Sequence, residues 1–418
     1  MRGLGCWLVW GVICNPSRAA ALGQLDAFTS IAGLYARDRN QVKPNHASVS
    51  RLSPAIRHRL ISEEEVVNAV LRVHPFERVE KFVQEVYWRR YWKSWLSLRP
   101  QVWSEFLRDL RDVPEHPRVQ CVEQAQSGNA VIDYLASELV STGYLHNHAR
   151  MWFAAWWVHE ARLPWQRGAA FFYRHLLDGD PASNTLSWRW VAGLQTPGKT
   201  YLARRSNLEK FLAPTLLESL SGGLAAFENP NALLPEPVSK PPITQSDWPL
   251  ENLTPSLATG LWIHEEDLSV ENSPLGRQSF SSIIVTGDAA TWDRCQFPTV
   301  KRQWLAAALQ DAATRSELRW KVPVSLEIQE ANEEAVVRWA KANALDQVAA
   351  MRPEIGPLHD SLPGLRDRLA QAGVRLVLLD RPEDRRVRRF ASGGFFQFWE
   401  RLRKTLVADS GKKALSRC

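Results

Sequence analysis

Two rhythms of apolar residues divide the chain. From residue 15 to about 225, apolar positions recur every three or four residues, the spacing of helices that bury one face. SRAAALGQLDAFTSIAGLYARDRN (17–40) and ERVEKFVQEVYWRRYWKSWLSLR (77–99) follow this rule, the second as a long aromatic helix. SEEEVVNAVLRVH opens with Ser62 as an N-cap and three Glu in the first turn, where they favour the helix dipole. NAVIDYLASELVSTGYLHNHARMWFAAWWVHEA (129–161) reads as a helix, a Gly-containing turn and a second helix. No strand pattern stands out in this half. Residues 229–256 carry seven prolines, which remove backbone donors and block helix, so they read as a linker. Beyond them the rhythm changes. ATGLWIHEEDL, SSIIVTG, VPVSLEI, DQVAAM and VRLVLLD are short apolar runs, separated by the helical stretches RQWLAAALQDAATRS, NEEAVVRWAKAN and LPGLRDRLAQAG. Strands alternating with helices predict a parallel sheet. The expected fold class is mixed: an all-α domain over 1–228, the Pro-rich linker 229–256, and a C-terminal α/β Rossmann-like domain over 257–410.

Composition adds less. An apolar fraction of 45% and a charged fraction of 23% are those of a globular chain. A net charge of +7 mildly favours an anionic partner such as nucleic acid, although a modest Arg excess is also ordinary surface chemistry. Tryptophan is the outlier: 19 Trp against 7 Tyr, with twelve of the Trp before residue 240. Trp fills cores, stacks on bases and relays electrons, and core filling accounts for most of them. The five Cys are scattered without a C-x-x-C, so no disulfide framework, zinc site or iron–sulfur cluster is expected. A reducing, cytoplasmic compartment fits best. The opening MRGLGCWLVWGVICNPSRAAA has an apolar stretch too short to span a bilayer; it reads as a signal peptide, a buried first segment or an over-long start. No membrane partner and no metal is expected. The α/β half has neither G-x-G-x-x-G nor G-x-x-x-x-G-K-S/T, so no motif supports a nucleotide site there.

The chemistry concentrates in DGDPASNTLSWRW (178–190), where two carboxylates, an amide and two Trp crowd together. A bare D-G-D reads as a helix cap and a surface acid. Its company changes that. TGYLHNHARMWFAAWWVHEARLPWQRGAAFFYRHLLDGDPASNTLSWRWVAG (142–193) strongly resembles the flavin-binding core of the photolyase/cryptochrome family. YARDRN (35–40), SRLSPAIRHRLIS (50–62) and KFVQEVYWRRYW (81–92) follow the family's order, so the resemblance covers roughly residues 20 to 215. It implies FAD as the cofactor. Tyr35, Val49, Ser50, Arg51, Leu52 and Ser53 would line the FAD phosphates and ribityl chain, with Val49 where the family usually has Thr. Arg89, Arg150, Asp178, Gly179, Asp180 and Asn184 complete the implied cofactor set. Arg150 would lie against the flavin ring and pair with Asp178, Asp180 would hold the ring or ribityl edge, and Asn184 would stand beside flavin N5. The physics is consistent: a reduced flavin anion needs a buried cation, Arg stays charged when buried, and a buried Arg needs a counter-ion.

The same resemblance implies a substrate, DNA containing pyrimidine dimers. Glu85 and Trp88 match positions that touch a flipped-out dimer; Asn147, Met151 and Trp190 line the same pocket, Met151 where (6-4) photolyases usually carry His. Arg39, Arg89, Arg90, Lys93 and His148 are the expected phosphate contacts. Trp188 and Trp165 match the two members of the family's electron relay nearest the flavin. The distal position falls at or near Asp112, and Trp103, Trp152 or Trp156 are the available substitutes. The domain order is reversed relative to the family: GLWIHEEDLSVENSPL (260–275) resembles its first strand and GGFFQFWERLRKTL (393–406) the segment that leaves its α/β domain, as in a circular permutation. His264, Glu265 and Glu266 stand where Arg residues would be expected, and no motif for an antenna chromophore is visible. The implied function is light-driven DNA repair by a monomer, an electron passing from excited FADH− to a flipped cyclobutane pyrimidine dimer, with Asn184, Trp188, Trp165 and Glu85 as the catalytic set. The competing readings are a cryptochrome-like blue-light receptor without repair and a non-catalytic FAD- or nucleic-acid-binding protein.

Overall fold

The computed structural model describes residues 14–196, 199–233, 235, 239–245 and 248–415. The apolar opening of the chain with Cys6, and the terminal Cys418, lie outside the described residues. Helices fill the first half, and among the described residues the first strand begins at Thr259; one isolated parallel bridge, Val42 to Leu212, precedes it. Ser62 caps Glu63–Val73 as the sequence suggests. Glu65 closes the box by accepting from the Ser62 amide at 2.9 Å while its own amide donates to the Ser62 hydroxyl at 3.2 Å. Phe76–Ser97 is the central helix, burying Val79, Phe82, Val83, Val86 and Tyr87 on one face. Ala130–Thr142 ends at Gly143 with φ 68°, a left-handed cap that turns the chain into Asn147–Ala155. No described helix is long and apolar enough to cross a membrane.

The second half is a five-stranded sheet: β1 (Thr259–His264), β2 (Ser282–Thr286), β3 (Val324–Glu327), β4 (Gln347–Met351) and β5 (Arg375–Leu379). The strands run parallel in the order β3-β2-β1-β4-β5, with Trp262 opposite Ile284 on one side and Ala350 on the other. Every residue of β1, β2 and β4 is buried, as expected of strands covered by helices on both faces. The fold is thus a helical half followed by an α/β half with a doubly wound parallel sheet.

A seam of buried charge joins the halves. Ser53–Arg57 and the turn after it present Arg57, His58 and Arg59; β1 runs on into Glu265, Glu266 and Asp267. Arg57 grips Glu266 with two bonds of 2.6 Å. Arg59 donates to Asp267 at 3.2 Å and to Asp384 at 2.8 Å, and Arg90 pairs with the same Asp384. The Leu268 amide donates to the His58 carbonyl at 3.0 Å. The charges of HEED, unexpected in the sequence, are complementary to R-H-R across the seam. The Pro-rich segment is pinned along the surface: Arg99 donates to the Pro241 carbonyl at 3.1 Å, and Glu251 accepts from the Leu378 amide at 3.0 Å.

Burial raises the Glu266 carboxyl, but Arg57 and Lys93 outweigh it and bring its pKa from 4.5 down to about 2. A depressed carboxylate stabilises the fold above its unfolded pKa and loses that contribution as pH falls through the folded one. Glu266→Gln is therefore expected to cost about 3 kcal/mol at neutral pH, the scale of breaking a buried ion pair. It should also remove part of the acid-induced loss of stability between pH 4.5 and about 2. Urea unfolding across that range checks both; equal pH slopes for the two proteins would refute the assignment.

Candidate functional site

A cavity of about 1060 Å³ opens in the helical half, at the upper end of the roughly 300–1,000 Å³ usual for small-molecule sites. Five segments of the helical half supply most of its wall. Tyr35 comes from Tyr35–Asp38 and lies edge-on against Phe82, ring centroids 5.1 Å apart. The loop Val49–Ser53 forms one wall. Gln24 fixes it by donating to the Ser50 carbonyl at 2.7 Å, and Arg51 takes φ 55°, a backbone state that non-glycine residues adopt at a cost of about 1 kcal/mol. Phe76–Ser97 contributes Glu85, Trp88 and Arg89, whose three- and four-residue spacing puts them on one face. Asn147–Ala155 brings Asn147, Arg150 and Met151. The loop 178–180 and the helix Pro181–Val191 bring Asp178, Gly179, Asp180, Asn184, Trp188 and Trp190.

The electrostatic centre is Arg150 against Asp178. The guanidinium donates to both carboxylate oxygens at 3.1 and 2.9 Å, and Arg89 adds a contact at 3.4 Å. Burial pushes the Asp178 carboxyl up, but Arg150 and Arg89 reverse this, and its pKa lies below the ordinary value. Two cations on one carboxylate leave positive charge beside the cavity. Asp180 is more fully committed: one oxygen caps its helix through the Ser183 amide at 2.7 Å, and the other faces Lys93 at 3.2 Å and Arg57 at 3.5 Å. Asn184 donates its amide to the Ala169 carbonyl at 2.8 Å; no described residue bonds its Oδ1. Glu85 meets Arg39 and Lys81 through Oε1, leaving Oε2 to accept from a ligand. Trp190 packs against Tyr201 at 5.6 Å.

Not every expected residue reaches the cavity wall. Leu52 is fully buried in the core behind the loop. His148 is turned toward Asn207, 2.9 Å from its Nε2, and packs against Phe211 and Trp152. Arg90 and Lys93 face the charged seam, where Asp384 and Asp180 neutralise them, so the expectation of solvent-facing phosphate contacts does not hold for either. Trp165 stands outside the wall, tilted against Phe106 at 5.5 Å, which reaches Trp103 at 5.5 Å. Trp188 meets Phe172 at 5.0 Å and Trp157 at 6.1 Å. Asp112 ends its helix exposed. Lining residues that sequence reasoning missed include Tyr144, Trp92, Lys199, Lys240 and the segment Gly393–Gln397. GGFF was visible in the sequence, but only the packing of the last helix carries it to the cavity.

Residues 82–213 match the family model described as FAD binding domain of DNA photolyase. That segment, which carries much of the cavity wall, is similar to the flavin-binding domain of DNA photolyases. The chain is similar to the deoxyribodipyrimidine photo-lyase of Synechococcus sp., 28% identical over 197 residues, which are 44% of this chain and 40% of the relative. It is similar to that of Streptomyces griseus, 31% identical over 157 residues, 36% of this chain and 33% of the relative. The matches thus span about two fifths or less of these relatives' own length. A class III photolyase structure from Agrobacterium tumefaciens aligns with a TM-score of 0.44 at 23% identity, covering 53% of this chain and 48% of that one.

Trp188 is held by a close approach. A Cβ on Gly168 would sit 2.3 Å from its ring. Gly168→Ala is expected to destabilise the protein by about 1–3 kcal/mol, the usual cost of overpacking. Gly23→Ala, in an exposed helical position with nothing within 4 Å, should instead be neutral or gain up to about 1 kcal/mol. Thermal unfolding of the two variants checks the contrast; no loss at Gly168 would show that Trp188 is free to shift.

Proposed function

We propose that this chain is a light-driven DNA-repair flavoprotein acting on cyclobutane pyrimidine dimers. One observation carries the reading: apart from Leu52 and His148, the residues that the family resemblance gives to the cofactor and those it gives to the lesion line a single cavity. Arg150 and Asp178 stand on the same wall system as Glu85, Trp88, Asn147, Met151 and Trp190. The donor set fits FAD. Arg89 and Arg150 oppose a ligand's negative charge, the Val49–Ser53 loop offers backbone and hydroxyl groups, and Asn184 keeps an unengaged carbonyl. When bound, FAD supplies light absorption and the electron; the protein supplies binding, orientation and electrostatics.

The remaining work is done by side chains. Arg150 holds a negative ring system through its guanidinium, without moving a proton. The paired Asp178 keeps that charge from being an uncompensated buried cation. Asn184 holds its amide fixed on Ala169 and so presents one defined acceptor. Trp88 and Trp190 offer apolar faces to an extruded pyrimidine dimer, and Glu85 accepts from a base edge through Oε2. No residue is required to act as a general acid or base. The order of the two halves fits a circular permutation of the family's arrangement. The phosphate contacts that remain exposed enough are Arg39 and the lysines at the cavity rim. In this reading the DNA approaches from solution, without a membrane.

The test is direct. Protein purified in the dark is expected to show flavin absorbance, and the reduced protein to remove dimers from an oligonucleotide only under illumination. Flavin without light-dependent loss of dimers would leave the blue-light receptor reading; no flavin would end both. Trp190→Ala should weaken binding of the lesion about tenfold, the scale of one aromatic–base stack, while flavin content stays the same. Loss of flavin instead would assign Trp190 to the cofactor.

A further inference from the structure

The cavity mouth carries a residue that neither cofactor nor pocket explains. Gly393–Gln397 come from the far end of the chain, outside the segment that matches the photolyase domain, yet line the same cavity. Two consecutive phenylalanines at the start of Phe395–Leu415 point differently, as neighbours on a helix must. Phe395 is 5% exposed and lies flat on Trp88, ring centroids 3.4 Å apart and planes within 7°. It covers one face of Trp88, which also meets Tyr91 at 5.7 Å and Trp92 at 5.4 Å and still lines the cavity. Phe396 is 74% exposed, the only aromatic among the exposed large apolar residues described, and its one ring neighbour is Phe395 at 5.8 Å.

The segment is anchored, so this exposure is held in place. Tyr91 donates to the Gly393 carbonyl at 3.0 Å, Arg99 to the Ser392 carbonyl at 2.8 Å, and Arg403 pairs with Glu80 at 2.9 Å. Around it the cavity rim is cationic: Lys199 and Lys240 are exposed, and Lys81 lies on the same wall. A rigid apolar ring among lysines suits a polyanion with stacked bases better than a protein surface. Extruding a base leaves a hole in the duplex, and an apolar side chain inserted there offsets part of the lost stacking.

We propose that Phe396 is a wedge that enters duplex DNA beside the cavity and fills the gap left by the extruded nucleotides. The inference rests on the repair reading above and adds a specificity: Phe396 matters for double-stranded substrate only, because a single strand has no hole to fill.

Wild-type protein and Phe396→Ala are titrated in the dark with an oligonucleotide carrying one cyclobutane thymine dimer, single-stranded or in a duplex with 2-aminopurine opposite the lesion. Phe396→Ala is expected to bind the duplex about tenfold more weakly, with a smaller rise in 2-aminopurine fluorescence, and the single strand within about twofold of wild type. Phe396→Trp should restore duplex binding. Leu318→Ala, a distant site that is also 74% exposed, should change neither. Equal weakening on both substrates, or none on either, would overturn the wedge and leave the repair reading standing. Failure of the wild type to prefer the dimer even in the single strand would bring down both. With its side chain mostly in solvent, Phe396→Ala removes little buried area, so folding is not at stake.

Discussion

Arg57 holds the molecule together at the point where its two halves and its cavity meet. The guanidinium donates to the Gly179 carbonyl at 3.0 Å, faces Asp180 at 3.5 Å and grips Glu266 with two bonds. One fixed, permanently charged fork thereby sets the 178–180 loop against the end of β1. The loop carries Asp178, so the seam and the cavity's charge balance are mechanically one structure. Buried ion pairs are weak evidence for stability in themselves, because desolvation offsets their attraction. What this one supplies is position: removing Arg57 would leave Glu266 and Asp180 to share Lys93 alone.

The cavity follows from that position. Its wall mixes cations already bound to Asp178 and Glu85 with acceptors still unengaged, Asn184 Oδ1 and Glu85 Oε2. In the proposed reading, such a wall would receive an anionic, planar ligand without rearranging its own charges. The aromatic residues around it are of two kinds. Trp88 and Trp190 are partly buried and line the space, Trp188 is buried but still reaches the wall, and Trp152 and Trp157 are core. Tryptophan abundance alone could not separate them.

Much of this was legible in the sequence. Periodicity gave the helices around Phe76–Ser97 and Asn147–Ala155 and the five parallel strands, because each element's burial pattern repeats at its own period. The cavity residues were legible through an ordered series of motifs, since each segment of the wall is a short local run. What stayed hidden depends on docking. Arg90 and Lys93 sit in a basic, aromatic helix that reads as a surface for phosphate; only the α/β half, covering that face, turns them into seam residues. Glu266 looked like a departure from its family's pattern because its partner Arg57 is far away in the chain. Phe395 and Lys240 belong to segments whose own sequence gives no hint of a cavity.

The sheet order reverses between β1 and β4, the place where doubly wound folds open a crevice for a nucleotide. Here His264, at the end of β1, spans that gap with a 2.7 Å bond to the Met351 carbonyl of β4, and the next three residues lead into the helical half. An architecture usually associated with cradling phosphates has become a socket for another part of the same polypeptide. The second half therefore works as a keystone: whatever loosened its grip would loosen Asp180 and the wall behind Trp88 in the same movement.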